Sequence, residues 1–175
     1  PSIACKPGTG VNAAGTTLQA ATASVTNSGS IFGAAFGTAI VASTSVDVIN
    51  TSTGQIAGGA DGISVSGSAT VNNAGSISGG VFGIAALTAN VTNTGVISGV
   101  QAAIATDGAT IRNSGTISGT GVNSSGISAG AANVANFGSI SGGFNGIQGT
   151  ATSTIDNTGS ILGGHNGIDA TAGLN

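Results

Sequence analysis

Seven asparagines recur at a regular spacing and are the most specific chemical signal in the sequence. Each stands two residues after a valine or isoleucine, and all but one stand two residues before a glycine. Asparagine hydrogen-bonds its own backbone at bends, and stacked asparagines can pass amide-to-carbonyl bonds from strand to strand. We therefore predict a structural column rather than a binding groove. Its members are Asn27, Asn50, Asn73, Asn93, Asn113, Asn136 and Asn157.

The ionisable residues are too few and too scattered to predict a catalytic site. The chain has five acids, two bases and one histidine. No two aspartates occupy neighbouring positions, as a general acid/base pair requires. His165 lacks the cysteine or acidic motif that would make it a metal ligand or a base. Arg112 and Asp156 share a position in the repeat but lie two repeats apart. We predict no enzymatic activity, no bound metal and no cofactor.

Three glycine-rich corners are similar to a calcium-binding nonapeptide repeat. That motif needs an aspartate in each successive turn, whereas here only Asp61 is acidic, and Asn145 and Asn166 fill the matching positions. Neutral amides are poor calcium ligands on their own. We interpret these Gly-Gly-x-Asp/Asn-Gly corners as bends in which glycine takes the left-handed backbone conformation. They comprise 58–62, 142–146 and 163–167.

An ice-binding face would need two adjacent columns of outward-facing residues, both dominated by threonine. The position before each asparagine is mixed and includes Ile49, Arg112 and Asp156. The position before each valine or isoleucine is mixed as well: it holds Ser24, Asp47, Thr70, Asn90, Thr110, Asn133 and Thr154. Binding of ice or of a glycan therefore stands as an alternative function rather than the first choice.

A second repeated word fixes the period. In each repeat, one isoleucine follows the asparagine motif described above and a second isoleucine follows a later Gly or Ala. Each of the two recurs every 20–25 residues. We predict that they form two core columns. The first holds Ile31, Ile56, Ile77, Ile97, Ile117, Ile140 and Ile161, and the second holds Ile40, Ile63, Ile84, Ile104, Ile127, Ile147 and Ile168.

This period predicts a β-solenoid. Leucine is too rare for leucine-rich repeats, and the 33 glycines argue against helical repeats because glycine costs about 1 kcal/mol per helix position. We predict an all-β, right-handed parallel β-helix with about seven coils of 20–23 residues and three short strands per coil. Residues 1–22 do not follow this period, and we interpret them as a degenerate first coil or N-terminal cap. We interpret residues 23–175 as one domain of solenoid repeats.

The low charge and the short apolar stretches argue against nucleic-acid binding and against membrane insertion. Charged residues make up 4% of the chain and the net charge is −3. Two cations cannot form the basic surface that nucleic acid requires. The longest apolar stretch, around 33–42, is too short to span a bilayer. We therefore expect neither nucleic-acid binding nor membrane insertion.

The recurring V-x-N-x-G-x-I-S-G…G-I pattern resembles the β-strand repeats of bacterial autotransporter passengers and related large surface adhesins. The likeness covers residues 23–170. It implies a secreted, right-handed β-helix at the bacterial cell surface that acts as a stalk, adhesin or matrix component. The resemblance brings no shared catalytic residues.

We expect a non-enzymatic, extracellular structural or adhesive solenoid, either a passenger-like stalk or a subunit of a fibre whose coils stack end to end. A terminal coil exposes unpaired backbone groups, so the expected partners are further copies, neighbouring repeats of a longer chain, or a host or matrix surface. The alternative is an ice- or glycan-binding solenoid, and an enzyme that processes polysaccharides ranks last.

Overall fold

The structure is a computed structural model that describes residues 2–5, 10–12 and 18–174. In it the chain forms a parallel β-solenoid of about seven turns with about 21 residues per turn. The predicted fold class is confirmed, whereas the right-handed path stays a prediction. Each described strand pairs in parallel with the strand one coil away. The side chains that point inward therefore stack on the same position of the next coil.

Eighteen strands are formed by the described residues. They are β1 Ser2–Cys5, β2 Gly10–Asn12, β3 Leu18–Asn27, β4 Ser30–Phe32, β5 Ile40–Asn50, β6 Gln55–Gly58, β7 Ile63–Asn73, β8 Ser76–Gly79, β9 Phe82–Asn93, β10 Val96–Gly99, β11 Ala102–Asn113, β12 Thr116–Gly119, β13 Ser125–Asn136, β14 Ser139–Gly142, β15 Asn145–Gly149, β16 Thr154–Asn157, β17 Ser160–Gly163 and β18 Asn166–Ala170. The first sheet has the order β1-β3-β5-β7-β9-β11-β13-β15-β18, with β16 also on β13, and the second has the order β2-β4-β6-β8-β10-β12-β14-β17.

Alternation along the strands produces the core. In β7, Ala69 and Val71 are buried while Thr70 and Asn72 are exposed, as a period of two requires. Neighbouring coils repeat this pattern in register, so like residues pack on like. Twelve isoleucines of the two predicted columns are fully buried, and only Ile161 and Ile168, in the last coil, are partly exposed.

The expectation of three short strands per coil needs correction. In β5, β7, β9, β11 and β13, the segments expected to be separate form one strand of 11 or 12 residues. The chain bends but stays extended, and small length differences are absorbed as a bulge. Val65 pairs with Ala86 and Ser68 with Thr88, although different numbers of residues separate them. Coil-to-coil hydrogen bonding therefore continues through the bend.

The glycine corners also differ from expectation. Gly173 is the only described residue with a left-handed backbone, at φ 111°, and it lies outside the corners. The left-handed interpretation is therefore wrong. Glycine is needed there because of close approach: a Cβ on Gly58 would overlap the carbonyl oxygen of Asp61, and a Cβ on Gly163 would overlap that of Asn166.

The first segment takes part in the stack. Ser2–Cys5 pairs with β3, and Gly10–Asn12 pairs with β4. Strand β3 begins at Leu18, so the division expected between residues 22 and 23 falls inside a strand. The assignment of 1–22 as a degenerate coil or cap, much of which lies outside the described residues, stays a prediction.

Candidate functional site

The seven asparagines form one continuous ladder of side-chain hydrogen bonds. Each Nδ2 donates to the Oδ1 of the asparagine in the next coil, at 2.7 or 2.8 Å over six links. The same amide group also donates to backbone: Asn73 Nδ2 lies 3.2 Å from the Gly75 oxygen and 3.1 Å from the Val96 oxygen. Each ladder amide thus hydrogen-bonds to the backbone of its own bend and to the backbone of the coil that follows.

Burial defines what the ladder can do. The first six asparagines are at most 1% exposed, so they are closed to any ligand outside the coil. A buried amide is costly unless it is hydrogen-bonded. The five inner asparagines are satisfied by the copies on both sides, whereas the Oδ1 of Asn27 accepts a hydrogen bond from the Gly29 N–H. The column therefore holds the bends together and is not a binding surface.

The last coil is the exception. Asn157 accepts a hydrogen bond from Asn136 and donates to the Gly159 oxygen at 3.3 Å, but its side chain is exposed. Ile155, Ile161 and Ile168 of the same end are only partly buried. We call the surface formed by these four side chains the end face. It presents the same chemical pattern that each inner coil presents to its neighbour.

A shallow groove runs along the outside of the first sheet, and the sequence did not reveal it. It lies between two outward columns, one residue on either side of the buried column that contains Ala69, Ala89 and Ala109. One part has a volume of about 380 Å³ and an adjoining part about 580 Å³, and the two share Ser68 and Thr70. Its rims are Thr22, Ser45, Ser68, Thr88, Gly108, Ala131 and Thr152 on one side, and Ser24, Asp47, Thr70, Asn90, Thr110, Asn133 and Thr154 on the other.

The sequence contained a signal for this groove. Words such as Ser68-Ala69-Thr70 and Thr88-Ala89-Asn90 place polar residues two positions apart around a small one. The columns compared above lay on either side of Val71 instead, so one rim was missed. The polar rim side chains lie in register from coil to coil because the strands are parallel and the repeats are aligned.

The ionisable side chains are dispersed. Arg112 pairs across the strands with Ala135, which pairs with Asp156, so the predicted separation of two coils is confirmed. The Arg112 guanidinium instead lies over the Phe137 ring, 4.8 Å from its centroid. His165 stacks on Phe144 with ring centroids 4.7 Å apart. Both contacts join adjacent coils at the surface of the rod.

Asp61 is an acid whose pKa lies above its usual value. Burial raises the pKa of this carboxyl, while hydrogen bonds from the Phe82 N–H and from Ser64 act in the opposite direction. The Phe82 nitrogen lies 3.2 Å from Asp61 Oδ1. No cluster of three or more acidic, histidine or cysteine side chains that could hold a metal ion exists within the part of the chain that the structure describes.

No helix suited to crossing a membrane occurs among residues 2–5, 10–12 and 18–174. Comparisons of the chain with protein-family models, with curated proteins and with solved structures find no match. The resemblance to autotransporter passengers and surface adhesins therefore stays a prediction.

Proposed function

We propose that this protein is a structural, non-enzymatic rod element that extends by stacking a further β-coil on its end face. The observation that carries the proposal is the end face itself. Asn157, Ile155, Ile161 and Ile168 are copies of side chains that every inner coil buries against the next one. A coil of the same type, laid on this end, would cover the isoleucines and accept a hydrogen bond from Asn157.

The opposite end of the stack is also a strand edge. Strands β1 and β2 are the first members of the two sheets, so each has a neighbour on one side only among the described strands. An unpaired edge is a template for another strand. The stacking partner is a second copy of the chain, or neighbouring repeats where the rod belongs to a longer chain.

The low charge supports the same function. Native sheets often blunt their edges with charged residues, and this chain has seven in all. The last coil has two acidic residues, Asp156 and Asp169, and each stands next to a core isoleucine, so the alternation of the strand turns both away from the core positions. We place the rod at a bacterial cell surface or in a secreted matrix, where the resemblance to adhesin repeats puts it, with a stalk-like or adhesive role.

Two neighbouring substitutions test the stacking. Ile161 is a core position of the end face, whereas Leu162 points outward and is 61% exposed. Sedimentation velocity over a wide concentration range, with electron microscopy of the same samples, should show the native protein forming rods longer than one subunit. Ile161→Lys should leave single subunits because the partner coil would have to bury an unpaired charge.

The control is Leu162→Lys, which adds the same charge one residue away and should assemble like the native chain. Thermal unfolding of both variants separates lost assembly from lost folding. A native protein that remains monomeric at its highest soluble concentration contradicts self-stacking, and so does equal loss of assembly in the two lysine variants.

A further inference from the structure

We propose that the groove binds a neutral linear polysaccharide of the β-1,4-linked type, lying along the axis of the rod. This inference concerns the side of the rod, so it goes beyond the stacking function. The proposed function includes an adhesive role, and this inference names the class of ligand that such a role would involve. The groove crosses all seven coils, from Thr22 to Thr154, which at strand spacing is about 29 Å.

The polar groups of the groove are free to bind a ligand. Thr70, Asn90 and Thr110 make no side-chain hydrogen bond with any residue from 2–5, 10–12 or 18–174, and the same holds for Thr88 and Asn133. This contrasts with the asparagine ladder, in which every amide is used internally. Hydroxyl and amide groups both donate and accept, so they match the hydroxyls of a sugar.

The near absence of charge in the groove indicates that its ligand is neutral. Asp47 is the only charged residue among those lining the two parts of the groove, and it lies near one end. A polyanion would find no opposite charge in the groove, and a polycation would find only Asp47, to compensate the loss of its hydration. A neutral polymer loses nothing by this, and it can exchange its hydrogen bonds to water for hydrogen bonds to the rims.

The order of side chains along the second rim indicates how often the ligand repeats. From coil to coil the second rim reads Thr70, Asn90, Thr110, Asn133 and Thr154, so its chemistry alternates and repeats every second coil. Two coils span about 9.6 Å. A β-1,4-linked chain turns alternate sugars to opposite sides and thus also repeats at every second unit, over a similar length.

The same features disfavour ice. An ice surface would match a flat and chemically uniform array, whereas this surface is concave and mixes hydroxyl, amide and apolar residues. The first rim even lacks polar side chains at Gly108 and Ala131. A polymer tolerates such gaps because its affinity is spread over many contacts along its length.

Gly108 provides a steric test. A Cβ there would meet only the Thr88 Cγ2 atom, at 3.7 Å, so a side chain fits without moving the backbone. Gly108→Trp should fill the groove and abolish binding, while Gly108→Ala should bind like the native protein. The hydrogen-bond test is the double variant Thr70→Val and Thr110→Val, which keeps shape and β-propensity but removes two hydroxyls, with roughly 30-fold weaker binding expected.

The matched control for that variant is Thr92→Val, which is exposed on the same sheet but outside the groove. Calorimetric titration with cellohexaose and with hexa-N-acetylchitohexaose measures binding, and maltohexaose serves as the curved, α-linked comparison. The proposal requires binding of at least one β-linked probe, little or no binding of maltohexaose, and a larger effect of the groove variants than of Thr92→Val. Circular dichroism confirms that each variant is folded.

Several results overturn the proposal. These are no heat of binding with either β-linked probe at millimolar concentration, equal binding of maltohexaose, or equal effects of the groove and control variants. Thermal hysteresis without glycan binding would assign the groove to ice instead. Sedimentation of the same samples keeps the two proposals apart, since a monomer that binds glycan contradicts stacking but not the groove.

Discussion

Asn93 and Asn157 occupy the same position in their coils, yet they differ in burial and in the hydrogen bonds that they donate to a following coil. Asn93 is fully buried, accepts a hydrogen bond from Asn73 at 2.8 Å and donates to Asn113 at 2.8 Å. Asn157 accepts a bond from Asn136 but is exposed. The isoleucines four residues further on differ in the same way: Ile97 is fully buried and Ile161 only partly.

The difference shows that a residue in this rod is stabilised mainly by its neighbouring coils rather than by its own coil. Two coils around Asn93 exclude water and satisfy both ends of its amide, whereas one coil around Asn157 does half of this. The stability of such a rod is close to a sum of coil and interface contributions. The same substitution should therefore cost more in the middle of the stack than at the end face.

The largest expected difference is that between Asn93→Ala and Asn157→Ala. The first leaves the buried Oδ1 of Asn113 without its donor and removes one of the three acceptors of the buried Asn73 Nδ2. It also removes the hydrogen bonds that Asn93 donates to the Gly95 and Thr116 oxygens, and the sum of these losses should cost about 4 kcal/mol. The second affects only Asn136, whose Nδ2 keeps two backbone acceptors, and should cost about 1 kcal/mol. Urea unfolding followed by circular dichroism gives both values.

The control for this pair is Asn72→Ala, an exposed asparagine on the same sheet that should change stability by less than about 0.5 kcal/mol. Equal costs at positions 93 and 157 would mean that the ladder does not depend on its neighbours.

A slightly smaller difference is expected for the isoleucine column. Ile97→Ala creates a cavity between two coils and should cost about 3 kcal/mol, whereas Ile161→Ala, at the partly exposed end, should cost about 1 kcal/mol. The free energy of unfolding in urea measures both. If stacked rods form, the contrast should shrink as the protein concentration rises, because a partner coil then covers Ile161.

Among the inner-coil substitutions, the smallest cost is expected at a glycine, and a second glycine of the inner coils provides the comparison. A Cβ on Gly95 would overlap the carbonyl oxygen of Gly75 in the preceding coil, so Gly95→Ala should cost about 2 kcal/mol. Gly108 faces open space in the groove, and Gly108→Ala should raise stability by about 0.5 kcal/mol because alanine loses less backbone entropy in a strand. Thermal unfolding resolves the two, and a neutral Gly95→Ala would contradict the close coil-to-coil approach.

The periodic part of this structure was accessible from sequence. The Val-x-Asn-x-Gly word gave the register of every coil, because inward-facing residues must repeat when strands stack in parallel. The separation of Arg112 from Asp156 followed from the same alignment and is confirmed. Local patterns of this kind depend only on which face of a strand a residue occupies.

Features that depend on exact backbone paths were not accessible. Two residues separate the inward-facing Ala86 and Ala89, which breaks the alternation and suggested a strand end, but the hydrogen bonds continue through the bend. Glycine in the corners suggested unusual φ angles, whereas the structure shows that a carbonyl oxygen occupies the space of the missing Cβ. One rim of the groove was missed because the outward columns that were compared lie on either side of Val71 rather than of Ala69.

The asparagine ladder also has a direction. Each of its six links runs from an amide nearer the N terminus to a carbonyl oxygen nearer the C terminus. An amide that already accepts a hydrogen bond is polarised to donate the next one more strongly. If the chain emerges N terminus first, each new asparagine meets an amide that is already placed to donate, and the six links span at most 23 residues. We therefore expect the entropic cost of closing each loop to be nearly the same for every coil and not to rise with the length of the rod.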